Sequence, residues 1–236
     1  MLNKEQISNM VRLQDKMNSQ VNHDWRIAQY SWLLAGGMEL MEGIDHHGWK
    51  WWKNSIINLP LLQNELVDYW HFLLSETMIH VDDDQVYDLI MSDLVYPSDV
   101  IIFDDKGYVL AEMGTVEKLF LLVGLCVSKK FNLHLFESIL KDCELSWDFL
   151  YTQYIGKNIL NIFRQDNGYK VGRYYKEWHD GREDNCHMLD AIERHKNVAH
   201  ESDFPDVILI ELQSGYRKTV DHFAGSFGHD KSTSNS

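Results

Sequence analysis

Apolar residues recur three and four positions apart over residues 4–22, through Ile7, Met10, Val11, Met17 and Val21, the spacing of one helix face. Residues 25–46 repeat the pattern through Leu33, Leu40, Met41 and Ile44 and predict a second helix. Gly36-Gly37 lies inside it. Each glycine costs about 1 kcal/mol against alanine, so close packing on a neighbour is what would tolerate them. Gly48 and an aromatic-basic cluster, Trp49-Lys50-Trp51-Trp52-Lys53, follow. A third helix starts near Pro60, where the missing N–H is harmless, and runs to about Thr77 with the stripe Leu62, Leu66, Tyr69, Leu73. Residues 82–108 are turn-rich and acidic and predict a connection, with a short extended piece within Leu94–Phe103. Helical spacing returns over 112–130 and 133–163. Asp166-Asn167-Gly168-Tyr169 then opens a polar, basic, glycine-containing stretch to Asn185, before helices from about Cys186 and near 204–222. Residues 225–236 have the Ser/Gly/Asn-rich composition of a disordered tail. Only three prolines interrupt the chain, and no repeat has a solenoid period. The pattern predicts an all-α protein, a single bundle-like domain over 1–224.

Charge narrows the function. The 236 residues hold 22 Lys+Arg against 36 Asp+Glu, a net charge of −14. That balance argues against a nucleic-acid polymer or an anionic membrane surface as partner, since both attract basic faces. An anionic ligand would have to be neutralised locally, by a metal or a basic segment. Cys126, Cys143 and Cys186 are odd in number and widely spaced, which disfavours a disulfide framework or a zinc ribbon. The polar start of the chain carries no secretory signal, and no apolar run approaches the ~20 residues that span a bilayer. A cytoplasmic protein is the expectation.

Two acidic patterns carry candidate chemistry: Glu39-x-x-Glu42 on the second helix and Glu65-x-x-Asp68 on the third. Carboxylates three apart share a helix face, so two facing helices would offer four hard oxygen ligands to one point, a cage suited to Mg²⁺. With 36 acids in the chain, roughly five such pairs arise by chance, so spacing alone decides nothing. Glu65, Asp68 and Phe72 fall beside the apolar stripe of their helix rather than opposite it, where like charges need a metal or protons. Residues 157–182 hold six basic side chains (Lys157, Arg164, Lys170, Arg173, Lys176, Arg182) against three acidic ones, a local +3 that leaves −17 elsewhere. A basic, glycine-punctuated segment after a helix can close over a polyphosphate.

The surroundings of the acidic pairs are more specific. Leu13-Gln14-x-x-x-Asn18, Glu39-Leu40-Met41-Glu42-Gly43-Ile44-Asp45, the tryptophan cluster and Asn64-Glu65-Leu66-Val67-Asp68-Tyr69-Trp70-His71-Phe72 follow one another in this order. Further on come Tyr154-Ile155-Gly156-Lys157-Asn158-Ile159-Leu160-Asn161-Ile162-Phe163-Arg164-Gln165, Asp166-Asn167-Gly168-Tyr169-Lys170-Val171-Gly172, Tyr175-Lys176, Trp178 and Glu183-Asp184-Asn185. In order and spacing these runs resemble the dimeric dUTP diphosphatases of the all-α nucleoside-triphosphate pyrophosphohydrolase superfamily. The resemblance covers about 10–75 and 150–187, and is much less specific over 77–148. Gly43 departs from it, standing where the family generally has a bulky aliphatic residue; His46-His47 is an unusual pair, and the segment between Trp52 and Glu65 is short.

The resemblance implies hydrolysis of dUTP to dUMP and pyrophosphate in a helical bundle, with a four-carboxylate metal site between two helices and a mobile C-terminal closing segment. It implies two or more Mg²⁺ held by Glu39, Glu42, Glu65 and Asp68. Glu42 is the first candidate to hold the attacking water and Glu39 the second. Lys157, Arg164, Lys170 and Lys176 would neutralise phosphate oxygens. Gln14 and Asn18, one turn apart, have the donors and acceptors to read a uracil edge. Asn161 and Tyr169 would meet sugar and base, Asn185 would position the closing segment, and Trp49 and Phe72 are stacking candidates. His71 is expected to be a core hydrogen-bonder rather than a ligand. The family further implies a homodimer and a nucleotide partner, dUTP first, with dUDP and dCTP as other substrates. Two other functions stay open on the residues: a dCTP/dUTP pyrophosphatase of broader base specificity and a non-enzymatic helical interaction protein; an HD-type phosphohydrolase using His23-Asp24, His179-Asp180 or His229-Asp230 is not supported, since His179-Asp180 falls in an expected loop and His229-Asp230 in the expected tail.

Overall fold

The structure, a computed structural model, describes residues 1–95, 98–199 and 203–226. These form two compact units, Met1–Tyr154 and the residues from Ile155 onward. Among the described residues there are nine α-helices and one two-stranded hairpin, so the all-α expectation holds. The expected tail lies outside the described residues from 227 on.

In the first unit, α1 (Lys4–Val21) starts at a capping box in which Asn3 and Gln6 satisfy each other's backbone N–H. Its apolar face buries Ile7, Met10 and Val11 together with two amides, Gln14 and Asn18. The second helix, α2, spans Trp32–His46, not 25–46. Residues 22–31 turn instead: Asn22 accepts from the Asp24 N–H, Trp25 is buried, and Arg26 bonds Asp15, Asp83 and the Met78 carbonyl. Helix α3 (Leu59–Met78) is capped by Asn58, with Pro60 in its first turn. All four residues of its predicted stripe are buried, and Trp70 stacks on Phe136 at 5.7 Å in the centre of the unit.

Glycines let α2 and α3 approach. A Cβ on Gly36 would lie 3.0 Å from the Tyr69 ring, and one on Gly43 would lie 3.1 Å from Leu62 Cδ1 and 3.5 Å from Glu65 Cβ. At position 43, where there is no side chain, α3 itself fills the space, at the level of Glu65. Gly36→Val is expected to lower stability by about 2 kcal/mol, because the fully buried Tyr69 ring cannot move aside. A urea unfolding curve with unchanged slope checks this.

The acidic connection contains more structure than its composition predicts. Val86–Val95 is a helix, α4. The extended piece is real, with Val100–Phe103 (β1) pairing antiparallel with Lys106–Val109 (β2) around Asp104-Asp105, both at positive φ. Aspartate tolerates that region, and two such residues in a row make the turn that suits a twisted hairpin. The unit continues with α5 (Thr115–Val127), α6 (Leu133–Asp142) and the start of α7 (Trp147–Asp166). The helical spacing over 133–163 is thus carried by two helices, separated where Glu144 takes φ 54° and Ser146 caps the next start by accepting from the Phe149 N–H.

The second unit holds the rest of α7 with α8 (Asp184–His195) and α9 (Phe204–Ser226). The basic stretch between α7 and α8 is fastened to α9 by aromatic contact: Tyr174 stacks on Tyr216 at 4.8 Å and Tyr175 on Phe223 at 4.7 Å. Trp178 is buried against Gly215, where no side chain would fit.

Candidate active site

Three of the four predicted metal ligands converge. One carboxylate oxygen from each of Glu39, Glu42 and Glu65 lies within 4.8 Å of the other two. The close α2–α3 packing at Gly43 brings them together, and their burial is graded: Glu65 is buried, Glu39 half-buried and Glu42 exposed. His46 Nε2 stands 3.6 Å from Glu65 Oε1. Asp68, half-buried one turn further along α3, is not part of this three-way cluster. The Asn64 amide lies between the two acids of α3, 3.3 Å from Asp68 Oδ2 and 3.4 Å from Glu65 Oε1. Like charges this close need a compensating cation or protons. An all-oxygen carboxylate set is the donor chemistry of a hard divalent ion, so these residues fit Mg²⁺.

No group containing His or Cys converges in this way among the described residues. His23 is exposed beside Asp24, His179 is bonded to Thr219, and Asp180 is taken by Arg182 and His187. His229-Asp230 lies outside the described residues. The HD-type expectation therefore finds no metal core among the described residues.

Gln14 and Asn18 are both buried and linked into a relay within the first unit. Gln14 Nε2 donates to Asn18 Oδ1 at 3.0 Å, and Asn18 Nδ2 donates to Ser75 Oγ at 3.0 Å. The Ser75 hydroxyl donates to the His71 carbonyl. At the other end, His71 Nδ1 and the Tyr154 hydroxyl each lie 2.8 Å from Gln14 Oε1. The His71 ring stacks on Tyr154 at 4.0 Å, so His71 is the core hydrogen-bonder its position predicts. Of the stacking candidates, Phe72 is half-buried with its ring 6.3 Å from Trp32, whereas Trp49 is partly exposed and edge-on to Trp52 and Phe120.

In the second unit the polar candidates gather around an acid. Arg164 Nε and Nη2 bond the two oxygens of Asp184, both at 2.7 Å, and Asp184 is fully buried. Arg164 also donates to Asn161 at 3.0 Å and to Asn185 at 3.2 Å, so at least four of its five donors are occupied. Tyr174 donates to the same aspartate at 2.8 Å, and burial, with the negative charge of Asp184 second, pushes its phenol pKa up. The buried Lys157 donates to Asn185 at 2.9 Å. Lys176 pairs with Glu183 at 3.2 Å, while Lys170 and Tyr169 are exposed. Lys157, Asn161, Arg164 and Asn185 are thus brought together. Tyr174→Phe is expected to cost about 1–2 kcal/mol by taking one donor from a buried carboxylate, measurable as a lowered urea midpoint.

Sequence reasoning passes over Asp184, Asn64, Ser75 and Tyr154. Asn64 does carry a signal, being adjacent to Glu65 and four before Asp68. Asp184 stands in the run Glu183-Asp184-Asn185, but its spacing points to no role, since an acid at a helix start is ordinarily a solvated first-turn residue.

A family model described as dUTPase matches residues 6–169, through the connection at 77–148 that carries little motif and short of Lys170, Lys176 and Asn185. No curated protein matches the chain.

Proposed function

The chain belongs to the dUTPase family, and from that premise we propose that it is a Mg²⁺-dependent dUTP diphosphatase releasing dUMP and pyrophosphate. The observation that carries this reading is the convergence of Glu39, Glu42 and Glu65 within 4.8 Å in a chain of that family. Glu39, Glu42, Glu65 and Asp68 would hold two or more Mg²⁺. When bound, the metal supplies polarised phosphate oxygens and a more acidic water. Glu42, the exposed member of the cluster, orients the attacking water and takes its proton on a carboxylate oxygen, with Glu39 second in that role. The water oxygen bonds to phosphorus as the bridging P–O bond between the α and β phosphates breaks, giving dUMP and pyrophosphate. Lys157, Lys170 and Lys176 supply charge to the phosphates. Arg164 mainly frames that group, because its guanidinium is already forked onto Asp184. Asn161 and Tyr169 meet sugar and base, and Asn185 holds Lys157 in place. Trp49 and Phe72 flank the base. Gln14 and Asn18 read it, Gln14 through its amide N–H alone because its carbonyl is taken.

We assign the protein to the cytoplasm as a homodimer. Among the described residues no helix is long and apolar enough to cross a membrane. Leu34, Met38 and Met41 line one exposed side of α2, and Trp51, Ile56 and Ile57 are exposed after it; apolar surface of this extent supports association. Light scattering at micromolar concentration should give twice the chain mass, and a fully active monomer would contradict the dimer. A panel of canonical nucleotides scored for pyrophosphate tests the substrate. dUTP should lead, with dCTP and dUDP behind; dUTP among the poorest substrates would sink the assignment.

A further inference from the structure

The hydrogen bonds around Gln14 and Asn18 form a relay, and a backbone carbonyl sets its Asn18 end. A carbonyl oxygen only accepts. The Ser75 hydroxyl therefore gives its one proton to the His71 carbonyl at 3.0 Å, one turn back along α3, and faces Asn18 only as an acceptor. Asn18 must then turn its NH₂ toward Ser75 and its Oδ1 toward Gln14. Gln14 in turn must give its NH₂ to that oxygen and present Oε1 on its far side. There His71 Nδ1 lies 2.8 Å from it, which places a proton on Nδ1, and the Tyr154 hydroxyl, also 2.8 Å away, shares its one proton between this oxygen and the Met10 carbonyl at 3.0 Å. Burial pushes the Tyr154 phenol well above its ordinary range, so it remains a donor at any pH the enzyme meets. All five side chains are buried. Reversing either amide would set donor against donor and acceptor against acceptor in a setting that cannot compensate them.

We infer that Ser75 is a specificity-determining positioning residue, which locks the Asn18 amide in the one orientation that matches uracil and mismatches cytosine. The inference rests on the reading that Gln14 and Asn18 face the base. Once the relay is made, Asn18 keeps one N–H and one Oδ1 lone pair, and Gln14 keeps one N–H. Uracil offers a carbonyl, O4, beside a ring N–H at N3; this pair takes one donor and one acceptor from Asn18. Cytosine offers an amino group beside an unprotonated ring nitrogen, the same two places with donor and acceptor exchanged. For a base held in one orientation by its sugar and phosphates, cytosine needs the amide turned by half a rotation. Without Ser75 only the Gln14 N–H opposes that turn, and the asparagine can serve both bases; Ser75 holds its NH₂ side in place. Ser75 contacts Asn18 and not the substrate.

The test compares kcat/KM for dUTP and dCTP in the wild type, Ser75→Ala and Ser75→Thr. Ser75→Ala should lower the dUTP-to-dCTP ratio by about tenfold or more, chiefly through a higher KM for dUTP and a lower one for dCTP. Ser75→Thr keeps the hydroxyl and should hold the ratio within about threefold. A merely structural role for Ser75 would lower both activities together and leave the ratio alone; that result overturns the inference. The ¹⁵N spectrum of His71 at neutral pH is a readout independent of turnover. A proton on Nδ1 supports the relay, and a proton on Nε2 alone overturns it even if no Ser75 variant folds. A wild type that shows the Nδ1 tautomer yet fails to hydrolyse dUTP would instead overturn the functional reading, and with it the role of Ser75.

Discussion

Asp184→Asn lowers the stability of the second unit by about 3–5 kcal/mol, the loss expected when one partner of a buried ion pair is removed and the other stays charged. Asparagine has nearly the same shape, so packing is kept and the change isolates charge. What remains is Arg164, with little exposure, forked toward a group that no longer balances it. The loss extends beyond this pair, because Asp184 also receives the Tyr174 hydroxyl, and Tyr174 stacks on Tyr216 of α9. Fastening of the basic segment therefore depends on one fully buried acid. Arg164→Leu should cost a similar amount by stranding Asp184. The double variant should lose clearly less than the sum of the two, since no unpaired charge is then buried. Urea unfolding of the three proteins measures the coupling, and simple additivity would show that the pair is not the organising contact.

Glu42→Gln has the opposite signature. Turnover should fall by about 10²–10⁴ if, as proposed, Glu42 takes the proton from water. Stability should stay level or rise slightly, because one of three like charges within 4.8 Å has been neutralised. Glu65→Gln should likewise remove activity, here with weakened Mg²⁺ binding seen by calorimetry, since Glu65 is the buried anchor of the cluster. A large loss of stability in either variant would mean that the carboxylates hold the fold together rather than a cation.

Much of this was legible in the amino-acid order, for identifiable reasons. The helices α1 and α3 show regular apolar stripes and have asparagine caps, so pattern and cap agree. Glu39, Glu42 and Glu65 were recognisable because helical spacing and a surrounding motif pointed to the same residues. Helix α4 was hidden by the acidic turns on either side of it, and the break before α7 by apolar spacing that runs on through Cys143–Ser146. The start of α2 was misread because Trp25 and Arg26 continue a helical rhythm, while tertiary bonds to Asp15, Asp83 and the Met78 carbonyl hold them in a turn. In the site, local spacing paired Gln14 with Asn18 but could not show that Ser75 and Tyr154, distant in the chain, bond the two amides. Net charge in 157–182 overstated the cation available to a phosphate, because a buried Asp184 just beyond that window is bound to Arg164.

The central claim is tested most directly by following dUTP with the purified protein by ³¹P NMR, with Mg²⁺ and then with excess chelator. The account predicts dUMP and pyrophosphate as the products, appearing with Mg²⁺ and ceasing on chelation. Release of orthophosphate or triphosphate, or turnover that continues undiminished without a divalent cation, would contradict it.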